Sequence, residues 1–145
     1  MYKHILIPTD GSELSEHAVR EGIAFAKSIG ASATLFTASP SYHVFALDPV
    51  SLSDTEDSYK SDAASRASKR LKTGEDLARQ AGVPVDSEHS FGDHPHEEIL
   101  ACANRKPCDL IFMASHGRKG MAGLLLGSET HKVLTHSKIP VMVYR

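Results

Sequence analysis

The chain has little sulfur to build with. Cys102 and Cys108 are its only cysteines. Two are too few for a disulfide framework, and their spacing matches no zinc signature. Cys102 reads instead as a small buried apolar side chain on a helix. No apolar run approaches the roughly 20 residues that span a bilayer, so no membrane insertion is expected. Neither charge dominates: 16 basic and 18 acidic residues leave a net −2. That balance gives no nucleic-acid footprint, and no nucleic-acid partner is expected. Two familiar phosphate-loop patterns are missing as well. G-x-x-x-x-G-K-[ST] does not occur, since Gly127-Ser128 lacks the lysine between them. No G-x-G stands anywhere. Both gaps disfavour the P-loop and dinucleotide readings. Internal repeats and low-complexity tracts are also absent. Met1-Tyr2-Lys3-His4-Ile5 enters a strand pattern at once, without the look of a secretory leader, so a cytoplasmic location is expected.

What is present fits one domain over residues 1–145, with 41% apolar and 23% charged residues, near globular averages. Residues 3–8 form a short apolar run without alternation, as in a strand covered on both faces. Thr9-Asp10-Gly11 stops it. Ser12 is a good N-cap, and apolar residues from Leu14 to Ile29 recur at helical spacing up to Gly30. Residues 32–38 read as a second strand. Residues 39–57 are polar, with Pro40, Pro49 and four acids, and are expected to be a long connection. Two readings stand for it: a solvated insertion, or a lid or partner surface. A helix over 58–81 follows, with an alanine-rich stripe. A polar strand over 83–91 suits a sheet edge, and a short helix runs from Pro95 to about Asn104.

The most informative stretch is Asp109 to Ser137. Leu110-Ile111-Phe112-Met113-Ala114 reads as a buried strand and breaks at Ser115-His116-Gly117. Gly120, Gly123 and Gly127 follow, and a helix is expected from Ser128 to His136. Glycines let backbone approach a ligand closely, and a helix start presents N–H groups and a positive dipole end. Together they suggest a phosphate site. A plain strand–helix connection with turn glycines is the competing reading. A last strand is expected from Ile139 to Tyr144, its proline at the beginning, where a strand tolerates one. The alternation β-α-β-α-β-α-β-α-β implies a parallel sheet between two helix layers. In such sheets ligands sit beyond the carboxyl ends of the strands, where the strand order reverses. Thr9-Asp10-Gly11 and Ser115-His116-Gly117 are the turns that could meet there.

Ile5-Leu6-Ile7-Pro8-Thr9-Asp10-Gly11-Ser12, Ser115-His116-Gly117-Arg118, Leu126-Gly127-Ser128 and Ile139-Pro140-Val141-Met142-Val143 together resemble the universal stress protein family, in order and over essentially the whole chain. The family's nucleotide-binding branch carries Gly, two residues, Gly, nine residues, then Gly-Ser or Gly-Thr. Here the second glycine is Gly117, and Gly127-Ser128 closes the motif. The first position is Ala114. The resemblance implies a three-layer α/β/α fold of the adenine nucleotide alpha hydrolase type, with five parallel strands in the order 3-2-1-4-5. It also implies binding of ATP or another adenine nucleotide, with Mg²⁺, a role in stress response, and a homodimer. On that resemblance Pro8, Thr9 and Asp10 line the nucleoside pocket, and Thr37 offers backbone groups to adenine. Met113 and Ala114 border the sugar. Gly117, Gly127, Ser128, Glu129 and Thr130 surround the phosphates, with the Ser128 and Thr130 hydroxyls as extra donors. The last strand, Val141, Met142, Val143 and Tyr144, is a plausible dimer element, because an unpaired edge can pair with its own copy.

Several of these residues have a second reading. Arg118 or Lys119 could neutralise phosphate, or be solvated loop cations. Asp10 could accept from ribose or base, or simply order the helix start. His116 could touch phosphate or carry a proton, or anchor the loop. His94 and His96 flank Pro95, and His131 and His136 lie five apart, off a shared i,i+4 face. No third ligand is evident, so no metal site is expected. No base that positions water stands out, so the chain looks built for holding nucleotide rather than turning it over. A weak ATPase or phosphotransferase, and a dimeric interaction protein without nucleotide, are the alternatives. Gly127→Val is expected to abolish binding while the fold is retained.

Overall fold

The computed structural model describes residues 1–43, 52–117 and 126–145, with the backbone alone at 52–54. The elements run β1 (His4–Pro8), α1 (Glu13–Ile29), β2 (Ser32–Ser39), α2 (Leu52–Ala81), β3 (Val85–Phe91), α3 (Pro95–Arg105), β4 (Leu110–Ala114), α4 (Ser128–His136) and β5 (Val141–Tyr144). The five strands form one sheet in the order β3-β2-β1-β4-β5. Every pairing is parallel, so β1 lies between β2 and β4. That is the strand order expected above. It places the reversal between β1 and β4, whose carboxyl ends carry Thr9 and Ser115.

The unbroken apolar runs of β1 and β4 are explained by the two layers that cover them. Ile5, Ile7, Leu110 and Phe112 pack with Val19, Ile23 and Ala26 of α1 and Leu71 and Ala78 of α2. Leu6, Ile111 and Met113 turn to the other face, with Ile99 and Cys102 of α3 and Val133 of α4. Alternate side chains of each strand thus feed opposite cores. Burying each large aliphatic side chain contributes about 1.5–3 kcal/mol. α1 is held at both ends, by Ser12, whose side chain accepts from Ser15 N, and by Gly30 in left-handed backbone at φ 70°, which glycine adopts without steric cost.

Three boundaries differ from expectation by two residues or more, one of them the start of β3 at Val85 rather than at residue 83. α2 starts at Leu52, not near residue 58. Asp54, Glu56 and Asp57 sit in helix rather than loop, and Glu56 pairs with Lys60 one turn on at 3.0 Å, an arrangement that supports an exposed helix. Pro40 to His43 are also fastened. Ser41 N donates to Asp93 Oδ1, and His43 Nε2 lies 2.7 Å from Asp93 Oδ2. Tyr59 Oη donates to the Pro40 carbonyl, and the Tyr42 and Tyr59 rings meet at 5.6 Å. Residues 44–51, the rest of the expected connection, lie outside the described residues. The last strand begins at Val141. Pro140 has no N–H to give the ladder, although its carbonyl still accepts from Ile111 N. Among the described residues, no helix is long and apolar enough to cross a membrane.

Candidate functional site

The turn after β1 is built from its own hydroxyls. Thr9 N donates to the Phe36 carbonyl of β2 at 2.8 Å, so Thr9 lies beside Thr37. Thr9 Oγ1 shares a 3.0 Å hydrogen bond with Ser15 Oγ and accepts from Gly11 N. Asp10 Oδ1 accepts from Ser12 N at 2.9 Å, the short-range bond that favours aspartate in turns. Gly11, at φ 78°, completes the bend. Pro8 ends β1 in register with Phe36.

The turn after β4 comes against it. Ser115 N donates to the Tyr144 carbonyl of β5, and the Ser115 carbonyl accepts from Gly127 N, both at 2.7 Å. Ser115 Oγ and His116 Nδ1 are 3.3 Å apart, so His116 takes part in anchoring the loop. Two glycines make this closure possible. A Cβ on Gly117 would overlap the Asp10 carboxylate, with Asp10 Cγ 3.2 Å away. A Cβ on Gly127 would fall 3.0 Å from His116 Cα and 3.3 Å from the Ser115 carbonyl oxygen. Asp10, His116, Gly117 and Gly127 are therefore in one place, at the switch point. Arg118 and Lys119 lie outside the described residues.

Gly127 is also the N-cap of α4, with φ −70° and ψ 157°, and makes no side-chain capping bond. An uncapped helix start offers N–H donors and partial positive charge to an anion. The fit to a phosphate group is good in that respect. Thr37 adds a second mark. It is buried at 1% exposure, and its Oγ1 has no partner among the described residues, where a hydroxyl without one is costly.

The Thr130 hydroxyl, expected as an extra phosphate donor, is instead buried and donates to the Ala114 carbonyl at 2.9 Å. It ties the first turn of α4 to the end of β4. The Glu129 carboxylate belongs to α3: Oε2 accepts from His96 N at 2.8 Å and bonds His96 Nδ1 at 2.9 Å. Burial pushes this carboxyl up, but the His96 N–H, its imidazole and Lys132 outweigh that and hold it below its ordinary value. Ser128 is exposed at the helix start. Met113 packs in the core with Val133, while Ala114, on the opposite face, is equally buried at 6%.

The reading from sequence missed the His96–Glu129 pair and the ring contact of His96 with His136 at 6.1 Å. A glutamate in the first turn of a helix is the one signal it had. No group of three or more histidines, cysteines or acids able to hold a metal occurs among the described residues. An open depression of about 440 Å³ lined by Glu75, Arg79, Val83, Val85, Asp86 and Ser87 sits at the start of β3, at the opposite end of the sheet.

Known proteins share this fold. The chain is similar to universal stress protein MJ0577 of Methanocaldococcus jannaschii, at 30% identity over 156 residues, covering 100% of this chain and 96% of that one. The solved structure of MJ0577 superposes with a TM-score of 0.83, over 99% of this chain and 95% of that one. A universal stress protein solved in complex with cAMP has the same fold at 23% identity and a TM-score of 0.68, covering 99% and 97%. One from Archaeoglobus fulgidus in complex with dAMP does so at 17% identity and 0.69, covering 99% and 98%. The profile described as "Universal stress protein family" matches residues 1–145. With the 3-2-1-4-5 sheet and the two turns at its switch point, that match means the chain belongs to the universal stress protein family.

Proposed function

We propose that this chain is a nucleotide-responsive regulatory domain of stress response, which binds ATP or another adenine nucleotide, with Mg²⁺, at the β1/β4 switch point. The observation that carries the reading is the pair of close approaches at Gly117 and Gly127 beside an α4 start without a side-chain cap. They leave main-chain N–H groups of residues 128–130 for phosphate, with Thr9, Asp10 and the Thr37 region toward the nucleoside. Adenine nucleotides held by proteins of the same fold, cAMP in one and dAMP in another, agree with that choice at the level of the fold. Mg²⁺ binds through one or two carboxylates and the ligand's own phosphates, and Asp10 is the acid placed for that.

The protein acts in the cytoplasm as a homodimer. Among the described residues β5 has a strand neighbour on one side only, and Met142 and Leu134 are exposed, so a second copy pairing along Val141–Tyr144 would cover both an open edge and apolar surface. Calorimetric titration with ATP, ADP, AMP and cyclic AMP, with and without Mg²⁺, tests the nucleotide reading. Saturable binding is expected; no heat at millimolar ATP would refute it. Light scattering at micromolar concentration tests the dimer, and a monomer mass refutes it.

A further inference from the structure

α3 begins without a cap of its own. His94 stands at its N-cap and makes no side-chain hydrogen bond to the first turn, and Pro95 has no N–H. The first N–H in need of a partner is that of His96. Glu129 Oε2 takes it, and takes the His96 imidazole as well. Glu129 is the second residue of α4, so one carboxylate joins the N-termini of two helices. The ring is sheltered, its side chain 12% exposed. It also stacks on His136 at 6.1 Å and 28°. Glu129 and His136 are seven residues apart, on one face of α4 and at its two ends. A single imidazole thus contacts both the first and the last turn of this nine-residue helix. His94 lies against it at 6.1 Å, and Lys132 Nζ donates to the other Glu129 oxygen at 3.5 Å.

We propose that His96 is a positioning residue for the phosphate end of the site: it sets the tilt of α4, and so the aim of the N–H groups at 128–130, and it matches the Glu129 charge when a phosphate arrives. The proposal rests on the nucleotide reading above. A carboxylate in the first turn repels an incoming phosphate, whereas an imidazolium bound to it offsets that repulsion. Ligand binding therefore favours the protonated ring and takes up a proton. By linkage, affinity falls as pH rises through the histidine range. The charged and titratable neighbours in this balance are Glu129, Lys132 and His136 on α4 and His94 beside α3.

Two variants separate position from charge. In His96→Asn the side-chain amide can donate where Nδ1 does but cannot be protonated. His96→Ala loses both functions. ATP affinity of His96→Ala is expected to fall roughly tenfold at pH 6, as for a lost charge-assisted hydrogen bond that orders a ligand's donors. His96→Asn is expected to match wild type within about twofold at pH 8 and to lack the wild-type gain at pH 6. Comparison at equal pH cancels the protonation of ATP itself. Wild-type affinity in His96→Ala, or the same pH slope in His96→Asn as in wild type, overturns the proposal. Amide hydrogen exchange on the free proteins keeps it testable without ligand. Faster exchange at 131–136, the α4 amides from His131 N onward that bond within the helix, is expected in His96→Ala, and unchanged protection there overturns it. If the wild type binds no nucleotide, it is the functional reading that fails, and the exchange result still decides whether His96 positions α4.

Discussion

Replacing Gly127 by alanine puts one methyl group between two stretches of main chain. The backbone there, at φ −70° and ψ 157°, is open to any residue, so the cost is contact rather than torsion. The new Cβ would lie 3.0 Å from His116 Cα, 3.1 Å from its Cβ and 3.3 Å from the Ser115 carbonyl oxygen. Comfortable carbon contacts are about 3.5–4.0 Å, so α4 and the β4 turn must part by roughly half an ångström. The 2.7 Å bond from Gly127 N to Ser115 O stretches with them. Overpacking of this kind costs about 1–3 kcal/mol, and the loss of glycine's freedom in the unfolded chain returns about 0.4–1 kcal/mol. A net loss near 1 kcal/mol lowers Tm by roughly 2–5 °C in a chain of this size. Binding suffers more, because N–H···O geometry at phosphate weakens steeply with misalignment; a drop of about tenfold or more in ATP affinity is expected. Scanning calorimetry and ATP titration read the two effects. Unchanged affinity in a folded Gly127→Ala protein would falsify the assignment of this turn to phosphate. Gly127→Val adds two more methyls to the same contact, so stability falls along with binding, rather than binding alone.

Other perturbations follow from the same geometry. Gly117→Ala pushes the Asp10 carboxylate away and is expected to weaken ATP binding at least roughly tenfold with the fold retained by circular dichroism; wild-type affinity would refute the Asp10–Gly117 arrangement. Thr130→Val strands the Ala114 carbonyl and costs about 1–3 kcal/mol, read as a lower midpoint in urea. Burial pushes the Asp109 carboxyl up, but the N–H groups of His4 and Lys3 outweigh it and hold it below its ordinary value. With Glu129 depressed likewise, their stabilisation is complete above about pH 4, the unfolded value, and is lost as pH falls through the folded values. Tm should therefore drop from about pH 4 downward, with a shallower drop in Asp109→Asn. Burial, with Glu88 beside Cys102 and Asp109 beside Cys108, pushes the two thiols up to about 12 and about 11. Both should resist iodoacetamide at pH 8 until guanidinium unfolds the chain, as mass spectrometry would show.

The strands that carry the switch point were legible because their neighbours on both faces are apolar. Ile5-Leu6-Ile7 and Leu110 to Ala114 can be read without knowing what covers them. The α2 start was not, because an acid such as Glu56 looks like a loop residue until its helical i,i+4 partner, Lys60, is in place. The glycines announced a close approach, yet only the structure names what each approaches, Asp10 for Gly117 and the His116 backbone for Gly127. The partners of the Thr130 hydroxyl and the Glu129 carboxylate could not be read, because such a group at a helix start serves equally for a ligand and for a neighbouring element. Their partners, Ala114 and His96, are remote in sequence. No periodicity joins His96 to His136, since α3 and α4 meet through the fold alone.

The fastening of residues 40–43 onto α2 has a spectroscopic side. The chain has no tryptophan and four tyrosines, and the Tyr42 and Tyr59 rings meet at this corner, tilted by 42°, with the Tyr59 hydroxyl given to Pro40. Its near-ultraviolet dichroism and emission should therefore be weighted toward the corner where the chain leaves β2 for α2. Loosening of that corner would be visible without any added dye, against a background set by the two other tyrosines, Tyr2 and Tyr144, which pack on the core.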